Sequence, residues 1–223
     1  MNRQPICAIV CALPLAVPPE KQSGDLVIAA DAGYRNLGGV SPDYVVGDFD
    51  SLGYVPEGER VLRHPPEKDD TDTMLAAKLG LSLGYRAFVL LGGLGGRLDH
   101  TLANIQTLAY LRGRGAKACL AQEGETVTLI ENETLRFRAG LSGNVSVFAY
   151  GASARGVYER GLRYPLTDAH LTDDFPLGVS NAFTGAPASV SVSDGRLLVI
   201  YGAGIRDSDL FSEPSLDTRP QDA

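Results

Sequence analysis

AFVLLGGLGGRLDHTLANIQTLAYLRG, residues 87–113, changes period within a few residues. Ala87–Leu91 is a short apolar run of the kind carried by a strand buried on both faces. From Leu98 to Leu111 apolar residues recur at helical spacing through Leu98, Leu102, Ile105 and Ala109, and Gly113 follows as a stop. Between them lie Gly92, Gly93, Gly95 and Gly96. Such a strand-to-helix turn lets backbone amides approach an anion, and the helix start favours its charge. It is not a Walker A loop, since no Gly-Lys-Ser/Thr follows. Nor is it G-x-G-x-x-G, since counting from Gly93 the third glycine's place holds Leu98. Arg97 and Asp99 add a phosphate fork beside a carboxylate.

Outward from this turn the same alternation holds up to about Gln122. Ile6–Ala12, Leu26–Ala30, Tyr44–Val46, Val61–Arg63 and Lys117–Ala121 read as buried strands. Thr71–Leu83 reads as a helix, with Leu75, Leu79 and Leu83 at i+4 ahead of Gly84. Residues 1–122 are therefore expected to form a mostly parallel α/β/α sheet domain. After Gly124 the helical period disappears. TVTLI (126–130), TLRFR (134–138), VSVFAY (145–150), ASVSVS (188–193) and RLLVIY (196–201) are short and β-rich, and Asp194-Gly195 is a hairpin signal. Residues 123–205 are expected to form an antiparallel β-sandwich. The tail, 206–223, carries two basic and five acidic residues with little apolar content, and is expected to be disordered.

Composition narrows the function classes. Of 223 residues, 44% are hydrophobic and 21% charged, and the formal net charge is −7. That balance gives no general basic surface for nucleic acid or an anionic membrane. No run approaches the roughly 20 apolar residues of a membrane span. The apolar N-terminus is broken by Pro14, Pro18 and Pro19 and reads as a strand rather than a secretion signal. Cys7, Cys11 and Cys119 are odd in number and form no C-x-x-C pair, so a reduced, cytoplasmic enzyme is expected.

Acidic residues gather where strands should end: Asp31 after LVIAA, Asp48 and Asp50 in GDFDS, and Asp69, Asp70 and Asp72 in EKDDTDT. A parallel sheet would collect them at its carboxyl edge, where ligands bind. Taken singly, each is a helix cap or turn former, Thr71 and Asp72 above all. Taken together they repel, and a hard divalent cation such as Mg²⁺ removes that repulsion while keeping sites for substrate phosphates.

AADAG (29–33), GDFDS (47–51), EKDDTDT (67–73), GGLGGRLDHTLAN (92–104), GLRYPL (161–166) and LGVSNAFTG (177–185) resemble, in order, the motifs of the thiamine pyrophosphokinase (thiamine diphosphokinase) family. The resemblance spans roughly residues 6–201. It implies a homodimer with active sites shared between subunits. It also implies transfer of a diphosphoryl group from ATP to the hydroxyethyl oxygen of thiamine, giving thiamine diphosphate and AMP. Carried over residue by residue, Asp48, Asp50 and Asp72 would hold Mg²⁺. Asp31, Lys68, Thr71, Arg97 and Asp99 would line the nucleotide and transferring phosphates, with Asp72 or Asp99 accepting the alcohol's proton. Ser180 and Asn181 would hold thiamine.

The chain departs from the family pattern at Ala32, which stands where a second glycine is common, and at Asp70, which adds charge. It has no Trp, so any ring stacked on thiamine must be a Tyr or Phe; Tyr164 and Phe183 are the candidates, both also readable as core aromatics. Three rivals remain. One is a pyrophosphokinase acting on another heterocyclic alcohol such as a hydroxymethylpterin. Another is an aspartyl phosphatase, against which Gly47 speaks. The third is a nucleotide-sensing module. His64, His100 and His170 add little. Asp50 is expected at the site, and Asp43, in a turn at the opposite strand end, is expected to be solvated and dispensable.

Overall fold

Strands of Val, Ile, Leu and Ala with no polar face need cover on both sides. In the computed structural model, which describes residues 4–58, 60–67 and 69–212, they find it in a ten-stranded sheet. Its parallel half consists of β1 (Cys7–Val10), β2 (Leu26–Ala30), β3 (Tyr44–Gly47), β4 (Val61–Arg63), β5 (Ala87–Leu91) and β6 (Lys117–Gln122). Their order is β6-β5-β1-β2-β3-β4. The chain lays β2, β3 and β4 to one side of β1 and then returns to lay β5 and β6 on the other. The carboxyl ends of β1 and β5 therefore flank a topological switch point, where open α/β sheets leave a crevice.

Helices α1 (Asp72–Ser82) and α2 (Leu98–Arg112) touch each other and pack on one face of this half. The opposite face of β1–β3 is covered by a 3₁₀ segment, Asp31–Asn36, with Leu37, Phe49 and Leu52. The leucine periodicity does not mark the buried faces. α1 buries Thr73, Ala76, Ala77 and Gly80, and α2 buries Asn104, Thr107, Leu108 and Leu111, whereas Leu98 is 72% exposed and Leu102 54%. The cause is close approach. A Cβ on Gly80 would lie 2.6 Å from the Phe88 ring and 2.8 Å from Cys7 Sγ, so only small residues fit between α1 and the sheet.

The remaining strands are β7 (Glu125–Glu131), β8 (Thr134–Phe137), β9 (Asn144–Ala149), β10 (Ala154–Arg160), β11 (Leu166–Leu171), β12 (Gly178–Ala182), β13 (Ala188–Ser191) and β14 (Arg196–Tyr201). β7, β14, β9 and β12 continue the large sheet antiparallel beyond β6, while β11-β10-β13-β8 form a second, four-stranded sheet. The two sheets enclose a core of Leu135, Phe137, Val147, Val190 and Tyr201. Val89 of β5 and Cys119 of β6 belong to that same core, and position 122/123 falls in the β6–β7 hairpin, so sheet and core both run across it. β10, β11 and β12 have no counterpart in the sequence reading. β11 is a largely exposed edge strand with a polar sequence, LTDAHL, and β12 pairs with β9 through a register shift between Gly178 and Asn181.

Residues 206–212 are ordered against β8 rather than disordered. Arg138 pairs with Asp207 at 2.6 Å, the Arg136 backbone N–H donates to Asp209 at 2.8 Å, and Leu210 is buried. Residues 213–223 lie outside the described residues. Asp43 is likewise a structural residue: its carboxylate accepts from the Val27 N–H and from Lys21, each at 2.8 Å. Among the described residues no helix is long and apolar enough to cross a membrane.

Gly33, in the 3₁₀ segment, passes directly beneath β1: a Cβ there would lie 1.9 Å from the Val10 carbonyl oxygen. Backbone cannot yield as a side chain does. Gly33→Ala is expected to cost at least about 3 kcal/mol, roughly 6–12 °C in Tm, in thermal melting. An unchanged Tm would refute that contact.

Candidate active site

Four of the quoted motif segments meet at the carboxyl end of the parallel strands. AADAG closes β2, and Asp31 leaves the strand with φ +45° and is only 8% exposed. GDFDS closes β3. A Cβ on Gly47 would sit 3.1 Å from Asp31 Cα and Cβ, so glycine is what lets the two strand ends abut. Asp48 follows, and its carboxylate accepts the Asp50 N–H at 3.1 Å. Phe49 then turns at φ +67° with its ring buried, a conformation costly for a bulky residue and held by the packing around it. EKDDTDT leads into α1, where Thr71 Oγ1 caps the helix by accepting the Met74 N–H at 3.2 Å and Asp72 opens the first turn. Asp70 is tied to Lys78 by contacts of 2.6 and 2.8 Å.

Asp31, Asp48 and Asp72 come together: one carboxylate oxygen from each lies within 4.8 Å of the others. Asp31 Oδ1 is buried with no hydrogen-bond partner among the described residues. Buried polar atoms are rarely left so. Three converging carboxylate oxygens, one orphaned, fit a hard cation. The expected trio named Asp50 in place of Asp31. Asp50 instead faces solvent at the rim, its carboxylate accepting from Ser51 N–H and Oγ–H. Lys68 lies outside the described residues.

The cluster sits in a cleft of about 450 Å³ whose other wall is the glycine-rich loop. That loop is held from behind: buried Asn104 donates to Gly93 O at 2.7 Å, and Thr101 Oγ1 accepts the Gly95 N–H at 3.1 Å. Neither residue had been given a role, although both stand in GGLGGRLDHTLAN. Cys11 and Leu13, just past β1, also line the cleft, as the switch point at β1 requires. Burial pushes the Cys11 thiol up to about 11, which rules it out as a nucleophile at neutral pH. Arg97 and Asp99 form an exposed fork, Nε–Oδ1 3.1 Å and Nη2–Oδ2 2.6 Å. The guanidinium hydrogen bond holds the Asp99 carboxyl at about 2, so Asp99 stays ionised until pH falls through that value. A carboxyl-carbon NMR titration is expected to show that low midpoint, and to return it to the ordinary carboxylate range in Arg97→Ala. If the midpoint is the same in both proteins, the fork is not present in solution.

GLRYPL and LGVSNAFTG meet elsewhere. Asn181 is buried, and its amide is fully used. Oδ1 accepts the N–H groups of Tyr164 and Ala182, both at 2.9 Å, and Nδ2 donates to Tyr164 O at 2.7 Å and Glu159 Oε2 at 2.6 Å. It is thus placed as a clamp rather than as a contact for a ligand. Ser180 is exposed in the bulge at φ +62°, a conformation that re-aims its side chain outward. Tyr164 beside it is 60% exposed, whereas Phe183 is buried edge-on against Phe137, with ring centroids 5.1 Å apart. β12 lies five strand positions from β5 in the sheet, about 24 Å at the usual ~4.8 Å spacing. Within one chain, Ser180 does not reach the acidic cleft.

Residues 19–120 match the family model "Thiamin pyrophosphokinase, catalytic domain", and residues 132–197 match "Thiamin pyrophosphokinase, vitamin B1 binding domain". The thiamine pyrophosphokinase of Bacillus subtilis is 27% identical over 192 residues, 78% of this chain and 86% of that protein. Its fold agrees with the crystal structure of a Bacillus subtilis thiamine pyrophosphokinase at TM-score 0.77 and 24% identity, covering 90% of this chain and 100% of that one. It also agrees with the Candida albicans enzyme at TM-score 0.69 and 14% identity, covering 89% of each. The two models fall on the two halves that meet in the β6–β7 hairpin and together span most of the sequence, so the chain belongs to the thiamin pyrophosphokinase family.

Proposed function

We propose that the protein transfers a diphosphoryl group from ATP to the hydroxyethyl oxygen of thiamine, giving thiamine diphosphate and AMP. The observation that carries the reading is the convergence of Asp31, Asp48 and Asp72 opposite a glycine-rich loop at the switch point. Asp31, Asp48 and Asp72 would hold Mg²⁺, which when bound neutralises phosphate charge. The loop amides and the α2 N-terminus bind phosphate oxygens, and Arg97, whose Nε and Nη2 are turned to Asp99, offers its remaining guanidinium donors to the same groups. Lys68 keeps the phosphate-binding role that the family resemblance gives it. Attack falls on the β-phosphorus, so AMP leaves, and catalysis is mainly positioning and charge neutralisation. The hydroxyethyl proton would pass to Asp72 or Asp99, the two carboxylates the family resemblance offers as acceptors.

The working form is a homodimer in which β12 of one subunit completes the cleft of the other. Two observations support this. Ser180 is too far from β5 to serve its own cleft, and Tyr164, Phe175, Leu177 and Val179 expose apolar surface around the unpaired edge of β12. The three cysteines are free and buried, consistent with the reducing cytoplasm. The vitamin B1 binding match favours thiamine over a hydroxymethylpterin. Incubation of the protein with Mg²⁺, ATP and thiamine should yield thiamine diphosphate and AMP in equal amounts. Release of ADP, or turnover of a hydroxymethylpterin but not thiamine, would overturn the reading.

A further inference from the structure

We infer that Glu159 is a positioning residue of the thiamine half-site, acting through Asn181 on the segment that carries Tyr164. The inference rests on the function proposed above. Glu159 lies in β10 and is fully buried in the sandwich core among apolar side chains. Its Oε1 has no hydrogen-bond partner among the described residues, and its Oε2 accepts only from Asn181 Nδ2, at 2.6 Å. A carboxyl group is a poor core residue, and an apolar side chain of similar volume would fill the site at less cost. What it does is orient an amide across the sandwich.

Asn181 belongs to β12 in the large sheet, so this bond joins the two sheets. An asparagine amide is nearly symmetric in shape and can present oxygen or nitrogen to either side. By accepting from Nδ2, Glu159 fixes the side on which the nitrogen stands. Oδ1 is then left for the Tyr164 and Ala182 N–H groups, and the second Nδ2 proton goes to Tyr164 O. The segment is further stitched to β12 by Arg163 N–H to Ala182 O at 2.9 Å, and to the residues just after it by Thr184 Oγ–H to Gly161 O at 2.8 Å. Exposed Tyr164 is thereby held by its backbone to Asn181, the neighbour in sequence of exposed Ser180. Burial pushes the Glu159 carboxyl above its ordinary range, partly opposed by the Asn181 hydrogen bond. Either form of the carboxyl offers Asn181 an acceptor oxygen, which the glutamine carbonyl reproduces.

The test compares Glu159→Gln and Glu159→Leu by steady-state kinetics and by hydrogen exchange at the Tyr164 amide. The leucine variant should raise the thiamine KM about tenfold, with kcat and the ATP KM within about twofold, and should speed exchange at Tyr164 by a similar factor. The glutamine variant should match the unsubstituted protein in both. If leucine prevents folding, methionine, closer to glutamate in shape, takes its place. A fall in Tm with unchanged thiamine KM and Tyr164 protection would reduce Glu159 to a structural role, and failure of glutamine to rescue would remove the hydrogen-bond account. Should the unsubstituted protein make no thiamine diphosphate, the functional reading fails by itself, and Tyr164 exchange still decides whether Glu159 holds the clamp.

Discussion

Asp31→Asn is expected to slow thiamine diphosphate formation at least about a hundredfold, equivalent to about 3 kcal/mol of transition-state stabilisation, while the protein stays folded. Asparagine keeps the shape of Asp31 but removes a charge from three carboxylates whose oxygens lie within 4.8 Å of one another. The same change relieves repulsion, so without divalent cation the variant should melt no lower than the unsubstituted protein. Asp50→Asn should cost much less, because that carboxylate faces solvent and Ser51. Glu125→Gln, on the exposed β6–β7 hairpin, is the control; Asp43 cannot serve, since it holds β2 through the Val27 N–H. The measurements are product formation against Mg²⁺ concentration and melting in chelator. Near-normal activity of Asp31→Asn, or activity lost only through unfolding, would remove Asp31 from the metal site.

Mixing two inactive variants should restore activity. Ser180→Arg places a bulky cation at the proposed contact for cationic thiamine, and Asp31→Asn disables the acidic cleft. Each alone should be nearly inactive. If every site joins the cleft of one subunit to β12 of the other, random exchange makes half the dimers mixed, each with one intact site, so about a quarter of normal activity should return. Subunits are exchanged at equal concentration and assayed for thiamine diphosphate. Activity that stays at the level of the separate variants would show that each chain builds its own site.

The parallel half of the sheet was legible because β1, β2 and β5 are unbroken apolar runs, the last two ended by Asp31 and Gly92, and both-face burial leaves few other uses for such runs. The helices were legible in position but only partly in orientation: the sheet lies so close to α1 that alanine and glycine face it, Leu75 and Leu79 flank that contact half-buried, and Leu98 and Leu102 of α2 are exposed. Exchange of Asp50 for Asp31 has a comparable cause. Asp48 and Asp50 are two apart and would share a face of an extended strand, but Phe49 leaves that conformation at φ +67°, and Asp50 lines the cleft as an exposed residue outside the trio. Asp31 reaches the cluster through a contact between strand ends far apart in sequence, which no local pattern encodes. β12 escaped notice because the bulge at Ser180 interrupts the alternation by two that identifies a strand. Asn181 was visible as part of a motif, yet its partner Glu159 stands 22 positions earlier in a segment with no strand signal strong enough to place it.

The hairpin joining β6 to β7 also bears on how the chain matures on the ribosome. When the chain has emerged from the ribosome as far as Gln122, the parallel strands are all present, but β6 is still a bare edge, with its ladder groups facing water. Val89 and Cys119, which end up in the sandwich core, have nothing yet to cover them. A nascent chain in that state offers a template for strand addition by any neighbouring chain. Emergence of β7 covers that edge but passes the open one to β7, whose outer partner β14 is the last strand made, so an unpaired ladder persists until the sandwich closes.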